Sequence, residues 1–119
     1  MIHFQFNLWL RQPPLDEERI VSDVMAGLDF LHSIGLVHDD INPHNIMLDD
    51  GGRAVIIDFD SVVPLGSRSR GGTPGWSTFP TTAEIKNDEH GLDLVAKFLR
   101  GEYDGQDFDS FGMERKAVV

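Results

Sequence analysis

Eight consecutive residues, His38-Asp39-Asp40-Ile41-Asn42-Pro43-His44-Asn45, carry six side chains with charged or strong hydrogen-bonding groups. Apolar runs flank them: Leu36-Val37 on one side and Ile46-Met47-Leu48 on the other. Burying any part of such a loop is costly unless each polar group finds a partner. The chain is therefore restricted to folds that surround this loop with donors and acceptors. A second acidic corner, Ile56-Ile57-Asp58-Phe59-Asp60, closes the next apolar run. The pattern implies an acidic loop, a hairpin, and a second acidic corner folding back beside the first.

Around this centre the elements read as follows. Residues 1–15 form an N-terminal segment whose first dozen residues are aromatic and loosely alternating, compatible with a strand or with one short helix. Pro13-Pro14 ends that element. Ile20, Val24, Leu28 and Leu31 recur at helical steps, widened by Val21 and Met25. Asp16, Glu17 and Glu18 favour the positive end of the helix dipole and Gly35 suits the position after its end, so a helix is expected over 16–34. Residues 46–57 read as a hairpin about Asp49-Asp50-Gly51-Gly52. Residues 58–82, rich in Ser, Thr, Gly and Pro, read as a long loop. A second helix is expected at 87–100, capped by Asn87 or Asp88, with Leu92, Val95, Ala96 and Leu99 on its apolar face. Residues 101–119 read as an acidic tail expected to fray. The fold class is α+β, mainly helical.

At 119 residues the chain is one domain at most, burying ~65% of the surface its unfolded form exposes. Hydrophobic residues make up 40% of it, with eight Phe and two Trp, which suffices for a core. The formal charge of −10 argues against nucleic acid bound through its phosphates. It also repels a nucleotide unless a divalent cation intervenes. Without cysteine, disulfides, thiolate zinc sites and thiol nucleophiles are excluded. No apolar run approaches the ~18 residues of a membrane span, and the N-terminus has no cationic start resembling a signal peptide. A cytoplasmic or nuclear location is expected.

The stretch His38 to Leu48 resembles the catalytic loop of protein kinases, H-R-D-L-K-P-x-N-I-x-L, and Asp58-Phe59-Asp60 resembles their D-F-G corner. Gly27 to Val37 resembles the end of the long helix leading into that loop. Gly72-Thr73-Pro74-Gly75-Trp76 resembles a stretch late in the activation segment, and Asp88 matches a helix Asp that braces the loop. The resemblance covers roughly residues 15–100 and is nearest to a divergent, fungal set of serine/threonine kinase-like proteins. It implies a truncated kinase C-lobe: helix 16–34, catalytic loop 38–45, hairpin 46–57, activation-segment-like loop 58–82 and helix 87–100, with no N-lobe. It implies ATP and Mg²⁺ as cofactors, with Asp40 as the catalytic proton acceptor and Asn45 and Asp58 as metal- and nucleotide-binding residues. His38 would anchor the loop, and Asp60 could add a metal oxygen.

Several positions depart from the pattern. Asn42 stands where a lysine would neutralise the transferred phosphoryl group, Asp39 where an arginine would read an activation-loop phosphate, and Asp60 where the corner has glycine. Thr78-Phe79-Pro80-Thr81 only loosely matches A-P-E. The expected function is a protein-kinase-like fragment, ancestrally transferring phosphate from ATP to protein Ser/Thr but inactive as an isolated chain. One alternative is a non-catalytic pseudokinase-type binding module. Another is an aminoglycoside- or choline-type small-molecule phosphotransferase, whose second motif Ile57-Asp58-Phe59-Asp60 also matches. Apolar faces left uncovered are expected to be exposed or to recruit a protein partner. A zinc pair of His38 and His44 is not expected, for want of a third ligand. His32 and His90 read as helix-surface or core residues, Trp9 and Trp76 as packing aromatics, and Ser61, Ser67, Ser69 and Thr73 as loop hydroxyls.

Overall fold

The first helix, α1 (Glu17–Ser33), starts where its sequence starts it: the Asp16 carboxylate accepts the Arg19 backbone N–H at 3.1 Å, and Glu17 and Glu18 fill the first turn. It stops at Gly35, which takes the left-handed conformation (φ 79°) open to glycine. In this computed structural model, which describes residues 4–10 and 15–105, Ile20, Val24, Leu28 and Leu31 of α1 are buried. At ~1.5–3 kcal/mol for each side chain of this size, that stripe is what holds α1 to the rest of the chain. Val21 packs beside it, whereas Met25 is 49% exposed and does not widen the face. The Pro13-Pro14 break and most of the 101–119 tail lie outside the described residues.

Three antiparallel strands form the sheet beside α1, in the order β1 (Phe4–Asn7), β3 (Ile46–Asp49), β4 (Ala54–Ile56). The N-terminal segment, open between strand and helix from its sequence, is a strand followed by a 3₁₀ turn over Leu8–Leu10. The hairpin register pairs Ile46 with Ile56 and Leu48 with Ala54, so the four buried side chains share one face. Its turn is tied by Asp49 Oδ1, which accepts from the Gly51 and Arg53 N–H groups, with Gly52 at φ 80°. Asp23, on the middle of α1, accepts the Ala54 N–H at 3.0 Å and meets the Arg53 guanidinium at 3.2 Å, fastening hairpin to helix.

The segment expected as an unbroken loop over 58–82 contains a short strand, β5 (Val63–Pro64), antiparallel to β2 (Leu36–Val37). Val37, Val63 and Ala83 close a small core of their own. Farther along, residues 66–69 run against 81–83 through Gly66 N–H to Ala83 O, Ala83 N–H to Ser67 O, and Ser69 N–H to Thr81 O, all 2.8–2.9 Å.

The second helix, α2 (Ile85–Leu99), begins two residues before the expected 87. Glu84 precedes it in extended conformation and makes no side-chain cap. Asn87 and Asp88, the best capping types, sit inside the helix because their side chains are drawn to the 38–45 loop. Leu92, Val95 and Phe98 are buried, while Leu99 is only partly so. Gly91 lies against the loop so closely that a Cβ there would meet Ile41 O at 2.6 Å. Trp76 is buried at 5.8 Å from Phe98, and half-buried Trp9 stacks on the same ring at 5.4 Å. At the far end Arg100 bonds Glu102 and Glu17, joining α2 to the start of α1, and these bonds hold its guanidinium pKa above the ordinary value.

Large apolar residues do remain exposed, including Phe30 at 64% and Phe59 at 52%. With Gly27, Leu31, Val55 and Ile56 they line a groove of about 300 Å³ between α1 and β4. No described helix is long and apolar enough to cross a membrane.

Candidate functional site

The loop between β2 and β3 is built around Asp88, which is fully buried in the first turn of α2. Its Oδ2 accepts the His38 N–H at 2.9 Å and lies 2.8 Å from His32 Nε2, and its Oδ1 accepts the Asp39 N–H at 2.8 Å. A buried carboxylate persists only when paired and hydrogen-bonded in this way. The brace also sustains Asp39 at φ 72°, a conformation that costs a non-glycine residue energy and needs surrounding support.

From that brace the loop projects Asp40. Its Oδ1 accepts from Thr73 Oγ1 at 2.7 Å and from Asn42 Nδ2 at 3.0 Å, and its Oδ2 from Asn45 Nδ2 at 3.2 Å. Asn45 Nδ2 also reaches the Asp40 carbonyl at 2.7 Å. Asn42 and Asn45 are both buried, so these amides are fixed rather than sampled. Asn42 Nδ2 additionally contacts Thr73 Oγ1 at 3.2 Å, and its Oδ1 caps the 3₁₀ turn Pro43–Asn45 through the His44 N–H. Among the described residues every donor on the carboxylate is neutral.

The second corner is joined to the first by one imidazole and one backbone bond. His38 Nδ1 accepts the Asp40 N–H at 3.2 Å, which leaves Nε2 as the protonated nitrogen facing the Ile57 carbonyl at 3.1 Å. Ile57 N–H bonds the Asn45 carbonyl at 2.8 Å. Asp58, the next residue, thus leaves the hairpin beside the Asp40–Asn45 pair. It is exposed, at φ 59°, with Oδ1 accepting the Asp60 N–H at 3.2 Å. Phe59 packs edge-on to His38 at 5.5 Å.

Asp40 and Asn45 are therefore bonded to each other, and Asp58 follows the residue whose N–H bonds the Asn45 carbonyl. Asp60 is at the same corner, exposed, with its carbonyl accepting from Arg70. His44 stacks on Trp9 at 4.4 Å, while His38 faces the second corner. Two participants were not singled out for a role at this loop. Thr73 lies in the Gly72–Trp76 motif and reads as one loop hydroxyl among several, and His32 reads as a helix-surface or core residue, yet each has a carboxylate partner. A polar residue at a buried helical step, one turn after Leu28, was the available clue for His32.

The residues of the two corners fit a hard divalent cation. Asn45 uses its amide hydrogens on Asp40, and its Oδ1 accepts nothing from the described residues. Asp58 has an oxygen to spare and is open to solvent. Among the described residues no three His, Asp or Glu side chains cluster to cage a metal. Two protein oxygens completed by water and phosphate oxygens is the coordination Mg²⁺ commonly takes.

Residues 9–86 match the family model described as protein kinase domain. Similar curated proteins include the serine/threonine-protein kinase Tao of Drosophila melanogaster, 38% identical over 101 residues, covering 82% of this chain and 8% of Tao. The 3-phosphoinositide-dependent protein kinase 1 of Arabidopsis thaliana is 43% identical over 51 residues, covering 42% of this chain and 10% of that protein. The serine/threonine-protein kinase OXI1 of the same plant is 34% identical over 65 residues, covering 55% and 15%. The chain thus spans 8–15% of the length of these relatives.

Proposed function

The chain belongs to the protein kinase domain family, and on that premise we propose that residues 16–100 form the core of a kinase large lobe, carrying the acceptor side of a site that transfers the γ-phosphoryl group of ATP to a protein serine or threonine hydroxyl. The observation that carries this reading is the Asp40 carboxylate, oriented by Thr73, Asn42 and Asn45.

Asp40 Oδ1 already holds two donors, so the substrate hydroxyl approaches Oδ2, which among the described residues is shared only with the Asn45 amide. Asp40 takes the hydroxyl proton as the oxygen attacks phosphorus. Asn45 Oδ1 and the spare Asp58 oxygen would hold Mg²⁺, which when bound supplies positive charge for the phosphate oxygens. His38 fixes the spacing of the two halves through its bonds to Asp40 and Ile57. Thr73 ties the 58–82 segment to the base, so that segment's position sets access to Oδ2.

Asn42 puts a neutral amide where a cation would face the transferred group. Removing one preorganised donor from a developing oxyanion costs about 10²–10³ in rate, and turnover by this chain is expected to be slow. That neutrality, with Asp39 buried as an acceptor, favours a second reading: a nucleotide-binding module that has lost catalysis. Both readings expect Mg²⁺-dependent nucleotide binding. In a thermal-shift titration with ATP, the melting temperature should rise with Mg²⁺ and not with EDTA, and Asp58→Asn should remove the rise. A rise independent of Mg²⁺ and of Asp58 contradicts both. Labelled ATP and casein then separate them: incorporation lost in Asp40→Ala supports catalysis, and identical counts support the binding module.

A further inference from the structure

Of the two Asp-Gly steps in the chain, Asp50-Gly51 and Asp104-Gly105, the first lies at the tip of the hairpin between β3 and β4, with both residues exposed. An aspartate followed by glycine is chemically reactive, because no Cβ on the second residue hinders its backbone nitrogen from reaching the aspartate side chain. The turn itself does not require glycine at 51. Gly52 takes the left-handed conformation at φ 80°, whereas Gly51 does not, and a Cβ on Gly51 would meet Asp49 Oδ1 at an ordinary 3.5 Å. What the turn does fix is the Gly51 nitrogen, whose N–H donates to Asp49 Oδ1 at 2.9 Å. That oxygen also accepts the Arg53 N–H at 2.9 Å, and the Asp49 carbonyl accepts the Gly52 N–H at 3.0 Å. Asp104-Gly105 is placed differently. Gly105 is half-buried against Trp76, where a Cβ would meet the indole Nε1 at 2.8 Å.

We propose that Asp50 is a site of isoaspartate formation and that Asp49 guards it by holding the Gly51 N–H. In the reaction the Gly51 nitrogen gives up its proton to water and bonds to Cγ of the Asp50 carboxylic acid. The Cγ–OH bond breaks and water leaves, closing a cyclic imide. Water then adds at the former main-chain carbonyl of Asp50, the bond from that carbon to the Gly51 nitrogen breaks, and the chain continues through Cβ and Cγ. The freed main-chain carbon becomes the new carboxylate, so mass and charge are unchanged and no oxidant, reductant or cofactor is consumed. The Asp49 carboxylate opposes the first step twice. It favours the protonated nitrogen, and it anchors the turn through bonds that must break before the nitrogen can swing to Cγ. The product carries one more carbon in the main chain at the turn that is tied to α1 by Asp23 through Arg53 and Ala54. None of this depends on Asp40 performing catalysis.

The full chain, kept in neutral buffer at physiological temperature and digested at intervals, is read by mass spectrometry with electron-transfer fragmentation, which separates isoaspartate from aspartate. A synthetic peptide of residues 44–56 is the unfolded reference. Isoaspartate at position 50 is expected to accumulate at least tenfold more slowly in the parent chain than in the peptide. Asp49→Ala is expected within threefold of the peptide, and Asp49→Asn, whose side-chain oxygen can still accept, within threefold of the parent. Gly51→Ala added to Asp49→Ala should slow the reaction at least fivefold, because the new Cβ hinders the attacking nitrogen while the turn has room for it. No isoaspartate at position 50 in Asp49→Ala, faster accumulation at Asp104 than at Asp50 in that variant, or a rate for Asp49→Ala no higher than for Asp49→Asn overturns the proposal. Should Asp49→Ala fail to fold, the parent and the peptide decide. A gap above threefold then supports the guard, and a smaller one overturns it.

Discussion

The loop over 38–45 and the segment over 58–82 meet at Asp40, but they are held by different means. The loop is buried, and its polar groups are bound by fixed partners: Asp88 takes two backbone N–H groups and a histidine, and His38 spans to Ile57. The segment is mostly exposed or half-buried, and reaches the loop through the hydroxyls of Ser69 and Thr73 and the ring of Phe59 against His38. Buried, fully partnered networks are stiff and costly to break, whereas an element held by a few partly buried contacts opens more easily. Asp40 is thus set rigidly, and the segment bonded to it is set loosely.

The sharpest way to break this contrast is at Asp88. Asp88→Ala strands three donors in the interior and is expected to destabilise the chain by about 3–5 kcal/mol, as when one partner of a buried charged group is removed. Urea denaturation measures it, and a loss below about 1 kcal/mol would mean the loop is not braced from α2. Gly91→Ala comes next, since the new Cβ would meet Ile41 O at 2.6 Å and Ile41 Cβ at 2.9 Å. Overpacking of this kind costs about 1–3 kcal/mol, visible in the same experiment. Thr73→Val removes the bond between the segment and the Asp40 carboxylate and should cost about 0.5–1.5 kcal/mol. Its larger sign should be faster exchange in residues 66–73 with α1 unaffected; uniform acceleration would mean the two regions open together. Smallest is Asp58→Asn, expected within about 0.5 kcal/mol of the parent as an exposed substitution, because Asn tolerates the positive φ of 59° found there. It should nevertheless abolish the Mg²⁺-dependent thermal shift.

Much of the rigid half could be read from sequence, because its determinants are local. The Asp16 cap, the stripe from Ile20 to Leu31 and the Gly35 stop mark α1 to within a residue, and Asp49-Asp50-Gly51-Gly52 marks the hairpin. Motif spacing was enough to single out Asp40, Asn45 and Asp58; the first two are hydrogen-bonded, and Asp58 follows Ile57, whose N–H bonds the Asn45 carbonyl. The looser half was less legible because its contacts are distant in sequence. Leu36-Val37 and Val63-Pro64 are too short for alternation to register, and they pair across 26 residues. The start of α2 moved because Asn87 bonds Asp39 rather than the helix end. Thr73 and Ser69 gain their significance only from carboxylates 33 and 30 positions away. Side chains that act locally leave a periodic signature; those recruited by a partner across the fold do not.

The central claim is that Asn45 and Asp58 share a divalent cation beside Asp40. Mn²⁺ substituted for Mg²⁺ in the presence of ATP tests it most directly, through paramagnetic broadening in the amide spectrum of the ¹⁵N-labelled chain. Broadening centred on the Asn45 side-chain amide and the Asp58 and Phe59 backbone, and lost in Asp58→Asn, is the expected result. Broadening centred elsewhere, such as on the Asp49-Asp50 turn, or none at any ATP concentration, would contradict the account.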